Sequence, residues 1–190
     1  MNDFRAWSRA WDFGADTGAV FVGNTGTEST LVACFTGVKN DNVFACSLPL
    51  DEWVTIAAVW DEDVFRLYVD GKQICSRATK PSAFPSSWSG YYLGNSNWRI
   101  DALLFGDIDA FSIKKGALYS RDYEPKPLAP DDRSILFYGF EHVKGALVMD
   151  TSGNDNHAQL FGAWRFTVAG RAPIGGPVYV KNAVEERIRL

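Results

Sequence analysis

The sequence predicts an all-β chain folded as a two-sheet antiparallel β-sandwich of jelly-roll type. Three observations carry that expectation. Short apolar stretches follow one another at close spacing, separated by Gly, Asn, Asp, Ser and Pro. Almost none carries the three-to-four-residue period of an amphipathic helix. Asp70-Gly71 stands between VFRLYV and KQICSR, and this dipeptide tolerates the positive φ angles of a type I′ turn, so Val64 to Arg77 reads as a hairpin. About a dozen short strands with two kinds of face close a core most simply by packing two sheets together.

In chain order the expected strands begin with Ala19 to Gly23, Ser29 to Thr36 and Val43 to Leu48, each an apolar run bounded by turn residues. Trp53 to Trp60 is the longest such run and holds Thr55. Phe65 to Val69 and Lys72 to Ala78 are the hairpin arms. Tyr91 to Gly94, Asp107 to Lys114, Ile135 to Phe140, Ala158 to Phe166 and Val178 to Val180 complete the set. Between them Arg121 to Arg133, RDYEPKPLAPDDR, places Pro125, Pro127 and Pro130 close together, which opposes helix and sheet and favours an extended path. The expected organisation is therefore the main part of the sandwich over 1–120, a linker over 121–133, returning strands over 134–170 and a C-terminal arm over 171–190.

Length and composition bound the function. The 190 residues correspond to about one large domain, ample for a core. At 46% hydrophobic and 22% charged, the chain is globular rather than disordered or fibrous. A formal net charge of -4 offers no positive excess to neutralise phosphates, so nucleic acid is not an expected partner. No apolar run approaches the 18 residues of a membrane span, so membrane insertion is not expected. Cys34, Cys46 and Cys75 are an odd number in apolar surroundings, which reads as small buried hydrophobes rather than a disulfide framework. MNDFRAWSRAW carries charges where a signal peptide needs its apolar stretch, so the expectation is synthesis in the cytoplasm without classical secretion.

Several segments resemble a known family. EWVTIAAVWDEDVFRLYVDGKQICSR (Glu52 to Arg77) is similar to the heart of laminin G-like domains of the concanavalin A-like lectin/glucanase superfamily, where a W-x-hydrophobic strand leads into an L-Y-V-D-G hairpin. SRAWDFGADTGAVFV (Ser8 to Val22) resembles that family's W-x-R-x-x-D-F-G strand. YYLGNS (Tyr91 to Ser96) resembles its L-x-I-G strand, and GDIDAFSIKKGALYSRDY (Gly106 to Tyr123) its closing motif. ILFYGFEHVKGALVMDTSGNDNHAQLFGAW (Ile135 to Trp164) resembles the family's opening, yet here it comes last.

Two arrangements follow from that inverted order. In the favoured one the sandwich is circularly permuted and the linker returns the opening strands to their usual places. In the other, the C-terminal strands begin a second sandwich that a neighbouring chain completes. Either way an apolar strand of the family pattern is short of a counterpart, and an unpaired edge templates pairing with another chain. That points to other protein subunits as partners, including further copies of this chain.

Alternation along a strand would place Asp107 and Asp109 on one face, but no Glu follows to complete the E-x-D-x-E arrangement of the family's glycosidases. Glu52, Asp61, Glu62 and Asp63 read as solvated turn residues. His142 and His157 have no partner at zinc-ligand spacing, and His157 in DTSGNDNH reads as a turn-holding residue. No nucleophile elbow or phosphate loop is present. The chain is thus not expected to be an enzyme. The resemblance implies one structural calcium, with Asp109 as the carboxylate and backbone carbonyls near Phe140 and Glu141 as further ligands, a donor set that suits a hard cation. Asp150, Asn154 and Asp155 form an oxygen-rich loop that an Asx-type turn explains equally well.

Seven Trp, seven Tyr and thirteen Phe raise the question of a glycan surface. The best candidate for binding a glycan or a partner is Trp88, Tyr91, Tyr92, Asn95, Asn97 and Trp98. Trp88 and Trp98 read either as loop-packing anchors or as ligand contacts. Trp53, Trp60 and Phe65 are expected in the core. The expected function is a non-catalytic structural or adhesion subunit of a larger assembly, such as a phage or virus capsid decoration or tail component exposed on the particle. The alternative is a carbohydrate-binding module that takes surface glycans.

Overall fold

A computed structural model describes residues 1, 3–15, 18–34, 42–78, 90–162, 165–166 and 178–179. The expected glycan contact Trp88 and, apart from 178–179, the expected arm over 171–190 lie outside the described residues. The chain divides into two compact units, Met1–Asp107 with Lys115–Pro127, and Ile108–Lys114 with Leu128–Leu190.

The first unit holds two antiparallel sheets. Strands β1 (Arg9–Ala15), β2 (Gly18–Asn24), β3 (Thr30–Cys34), β4 (Asn42–Ser47) and β8 (Gly90–Leu93) form a five-stranded sheet in the order β4-β3-β2-β1-β8. Strands β5 (Ile56–Asp61), β6 (Val64–Val69) and β7 (Lys72–Ala78) form a three-stranded sheet. GAVFVGN in β2 is buried at every position because it is the central strand, covered on both faces, and so it reads as an unbroken apolar run rather than an alternation. Val20, Val22, Leu31 and Ala33 from one face meet Phe65 and Leu67 of β6 in the main core. Trp60 packs edge-on to Phe65, its cross-strand partner, with ring centroids 5.2 Å apart. The other face of the five-stranded sheet carries a second buried cluster of Ala19, Phe21, Val32 and Cys34.

The Asp70-Gly71 hairpin is as expected: both residues have positive φ, 48° and 74°, and Val69 pairs with Lys72 across the turn. Residues 119–125 cross this turn. Tyr119 and Tyr123 stack with centroids 3.5 Å apart, and both rings meet Tyr68 edge-on. Asp122 accepts the Gln73 N–H at 2.9 Å and pairs with Lys72 at 3.2 Å.

In the second unit β9 (Phe111–Lys114) pairs antiparallel with β10 (Ser134–Tyr138), matching Ile113 to Leu136 and Phe111 to Tyr138. The strand of the closing motif thus has a strand of the returning segment as its partner. Short strands β11 (Val143–Lys144), β12 (Leu147–Val148) and β13 (Ala158–Gln159) form another sheet, and β14 (Arg165–Phe166) pairs with β15 (Val178–Tyr179). Among the described residues no helix is long and apolar enough to cross a membrane.

Three expectations need correction. Trp53 is 56% exposed rather than in the core, because the strand starts only at Ile56 and Trp53 sits in the preceding loop, entered through Asp51 at φ 55°. Asp107 to Ala110 is not strand: β10 pairs only with Phe111–Lys114, so strand alternation does not set the faces of Asp107 and Asp109. The stretch from Ala158 to Phe166 is not one strand, since β13 ends at Gln159 and Gly162 turns the chain at φ 90°. The cysteines form no disulfide; Cys34 is buried, and Cys46 and Cys75 are half-buried against the main core.

Candidate functional site

Strand β8 and the segment after it, Gly94 to Asp101, carry five of the six residues expected to bind a ligand or partner. Pairing with β1 sets Tyr91 opposite Phe13 and Tyr92 opposite Asp12. The N–H of Gly94 donates to Ala10, and its carbonyl accepts the N–H of Leu104, which fixes both ends of the excursion.

Most of that segment faces inward. Asn95 and Ser96 are buried. Asn97 donates its side-chain N–H to Asp12 Oδ1 at 2.6 Å and its backbone N–H to Asp12 Oδ2 at 3.2 Å. A side chain on residue 90 would collide with this arrangement, since a Cβ there would lie 2.0 Å from Asn97 Oδ1, which explains Gly90. The Trp98 ring packs edge-on to Phe21 at 6.0 Å, against the second buried cluster. Trp98 is thus a packing anchor, and the amide of Asn97 is engaged within the protein. Tyr91 is 44% exposed and Tyr92 half-buried.

Beneath the loop lies a buried polar cluster built on Arg9 and Asp12 of the W-x-R-x-x-D-F-G strand, with Asp101 joining from the loop. The Arg9 guanidinium lies 3.9 Å over the Phe21 ring, with Trp7 and Trp98 farther around it. It bonds Asp101 Oδ2 at 2.9 Å and approaches Asp12 Oδ2 to 3.6 Å. Burial lowers the Arg9 pKa from its ordinary value against the pull of Asp101 and Asp12. Burial likewise raises the Asp12 carboxyl, against the Asn97 donors and Arg9. Ser8 donates to Asn24 Oδ1 at 2.6 Å, and the Asn24 amide holds the carbonyls of Arg5 and Gly26, so the approach to β1 is fixed as well. An Arg followed three residues later by an Asp, flanked by tryptophans, was the available signal. Its partner Asp101 lies 92 residues away from Arg9.

The expected metal position is different in kind. Asp109 and Glu141 are exposed, and Phe140 adopts φ 62°. Among the described residues no three His, Cys, Asp or Glu side chains converge to hold a metal. The expected donor set is the Asp109 carboxylate with backbone carbonyls near Phe140 and Glu141, and calcium takes six to eight oxygens, so further oxygens would have to complete its shell. The oxygen-rich loop is an Asx-type turn. Asp150 accepts the N–H groups of Phe137, Ser152 and Asn156 at 2.9, 2.9 and 3.0 Å, and the Ser152 hydroxyl at 2.8 Å. Burial would raise its pKa, but these donors outweigh burial and hold the carboxyl below its ordinary value. His157 Nδ1 accepts the Asp150 N–H at 3.1 Å, the turn-holding role expected of it. Asn154 donates to the carbonyls of Ser134 and Ile135.

Leu50, Trp53, Ile100 and Phe105 are exposed large hydrophobic residues. Met1 links two of their loops: its carbonyl accepts the Asp51 N–H at 2.9 Å, and its Cα stands 3.1 Å from where a Cβ on Gly106 would lie. Leu50 and Phe105 therefore flank the N-terminus, with the Arg5 guanidinium 4.2 Å over the Phe105 ring.

Two antiparallel sheets packed face to face, with the D-F-G strand in one and the Asp-Gly hairpin in the other, define a β-sandwich domain of the concanavalin A-like class. The family model described as the concanavalin A-like lectin/glucanases superfamily matches residues 1–122, and the chain belongs to that superfamily. No curated protein and no solved structure matches the chain.

Proposed function

We propose that this superfamily member is a non-catalytic binding domain that works as a structural or adhesion subunit of a larger assembly, docking through the apolar surface around its N-terminus. The observation that carries this reading is the exposure of Trp53 and Phe105 at 56% and 45%, in the two stretches that Met1 links, on a chain whose sugar-type donors Asn95 and Asn97 are turned inward. Contiguous exposed apolar residues mark sites of association. Asp107 and Asp109, the carboxylates that strand alternation would have paired, lie outside strand β9, which favours the non-catalytic part of the reading. Decoration of a particle such as a phage or virus is one setting that suits such a subunit.

The test is the solution mass of the purified chain by light scattering coupled to size exclusion, beside a glycan array. A defined oligomer of the 21.1 kDa chain that dissociates on Trp53→Arg supports assembly through this surface. A monomer that binds a glycan through Tyr91 and Tyr92 overturns it in favour of the carbohydrate-binding module.

A further inference from the structure

The Ser96 hydroxyl stands between two carboxylates, 3.2 Å from Asp12 Oδ2 and 2.8 Å from Asp101 Oδ2, and it accepts the Trp98 N–H at 3.0 Å. A hydroxyl carries one hydrogen. Given to Asp101, the nearer acceptor, it leaves the contact with Asp12 without a hydrogen unless Asp12 supplies one. The two oxygens of Asp12 also differ. Oδ1 accepts the Asn97 amide at 2.6 Å, as a carbonyl oxygen does, whereas the contacts of Oδ2 are longer, at 3.2 Å to Ser96, 3.2 Å to the Asn97 N–H and 3.6 Å to Arg9 Nε.

We propose that Asp12 is the neutral acid in the folded protein, that its proton locks the Gly94–Asp101 loop onto strand β1, and that the loop loosens as this proton is lost with rising pH. The hydrogen bonds then run in one direction. Asp12 donates to Ser96, Ser96 donates to the Asp101 carboxylate, and Arg9 donates to Asp101 from the other side. The hydroxyl hydrogens of Asp12 and Ser96 then have one acceptor each, and Ser96 fills its two acceptor positions with Asp12 and Trp98, while Arg9 Nε and Nη1 stay without a hydrogen-bond partner.

The charge balance agrees. Arg9 is the one cation within ion-pair distance of Asp12 among the described residues, and it is shared with Asp101. With both carboxyls ionised the cluster would hold a net negative charge at a place where Asp12 is fully buried, an arrangement that burial strongly disfavours. Among the described residues the Cys34 thiol, which acts on Arg9 from β3, and the Tyr92 phenol, opposite Asp12 on β8, also face the cluster. Neither brings a positive charge. Burial acting on Asp12 favours the same protonation state as the geometry.

The experiment follows the Asp12 carboxyl carbon by NMR across pH in the full chain, with the resonance assigned by its loss in Asp12→Asn. The expected midpoint lies above the ordinary aspartate value of about 3.9, and the Trp98 backbone N–H shifts with the same midpoint. Asp12→Asn, which keeps the shape of the neutral acid, is expected to melt at or above the wild-type temperature at pH 7, the difference closing as pH falls toward 4. Asp101→Asn, which leaves Arg9 without its carboxylate, is expected to melt lower at both pH values. The proposal is overturned if Asp12 titrates at or below the ordinary value, or if Asp12→Asn lowers the melting temperature at pH 7 as much as Asp101→Asn. Should Asp101→Asn fail to fold, the wild-type titration decides alone.

Discussion

The backbone N–H of Tyr123 donates to the carbonyl of Gly71 at 2.8 Å, fastening residues 119–125 across the β6–β7 turn. That contact leaves no room for a side chain: a Cβ on Gly71 would lie 1.9 Å from the Tyr123 carbonyl oxygen, and the backbone there has φ 74°. Gly71→Ala is therefore expected to lose more than about 1 kcal/mol of stability, from positive-φ strain and displacement of the Tyr123 segment together. Urea titration followed by tyrosine and tryptophan fluorescence checks it. An unchanged midpoint would mean that the segment does not hold the turn in solution.

Asp150 gives a pH dependence of definite sign. Its folded pKa lies below its unfolded one, so the stability it contributes is present above the unfolded pKa and is lost as pH falls through the folded value. Asp150→Asn is expected to cost about 1.5 to 3 kcal/mol at pH 7, the worth of one hydrogen bond to a charged group, and less at pH 3. Denaturant curves at the two pH values measure it. An equal loss at both would show that the charge of Asp150 is not what holds the turn.

The tryptophans separate packing from docking. Trp98→Ala removes a ring from Phe21 and Arg9 and is expected to cost about 2 to 3 kcal/mol, below the usual range for a fully buried tryptophan. Trp53→Ala touches a largely exposed ring and is expected to stay within about 0.5 kcal/mol in stability while weakening self-association. Thermal melts and light scattering on the same two variants give the comparison. A Trp98 variant as stable as wild type would remove its role as anchor.

How legible each part was depended on how local its cause is. The Asp70-Gly71 hairpin was readable because two adjacent residues dictate the turn, and the central strands because burial leaves unbroken or alternating apolar runs. Trp53 was misplaced because an apolar run marks burial without marking where pairing begins. Strands β11 and β12, each two residues long, are too short to carry any period, and only Gly145 at φ 63° signals the bend between them. Arg9 and Asp12 stand together in the quoted W-x-R-x-x-D-F-G stretch, but no local signal joins Asp101 to them, because the fold brings it from 92 residues away. Tyr91, Tyr92, Asn95, Asn97 and Trp98 were correctly grouped on one strand and loop, but sequence did not reveal which of them point inward.

Strand β9 lies within the stretch that matches the superfamily, whereas its hydrogen-bonding partner β10 begins only at Ser134, beyond it. On the ribosome, which adds about 5 to 20 residues each second, β9 emerges with its backbone donors and acceptors open until Tyr138 has followed it out of the exit tunnel. The nascent chain therefore passes through an interval in which a sticky edge is presented to neighbouring polypeptides. A gene fragment cut at the family boundary would make that interval permanent.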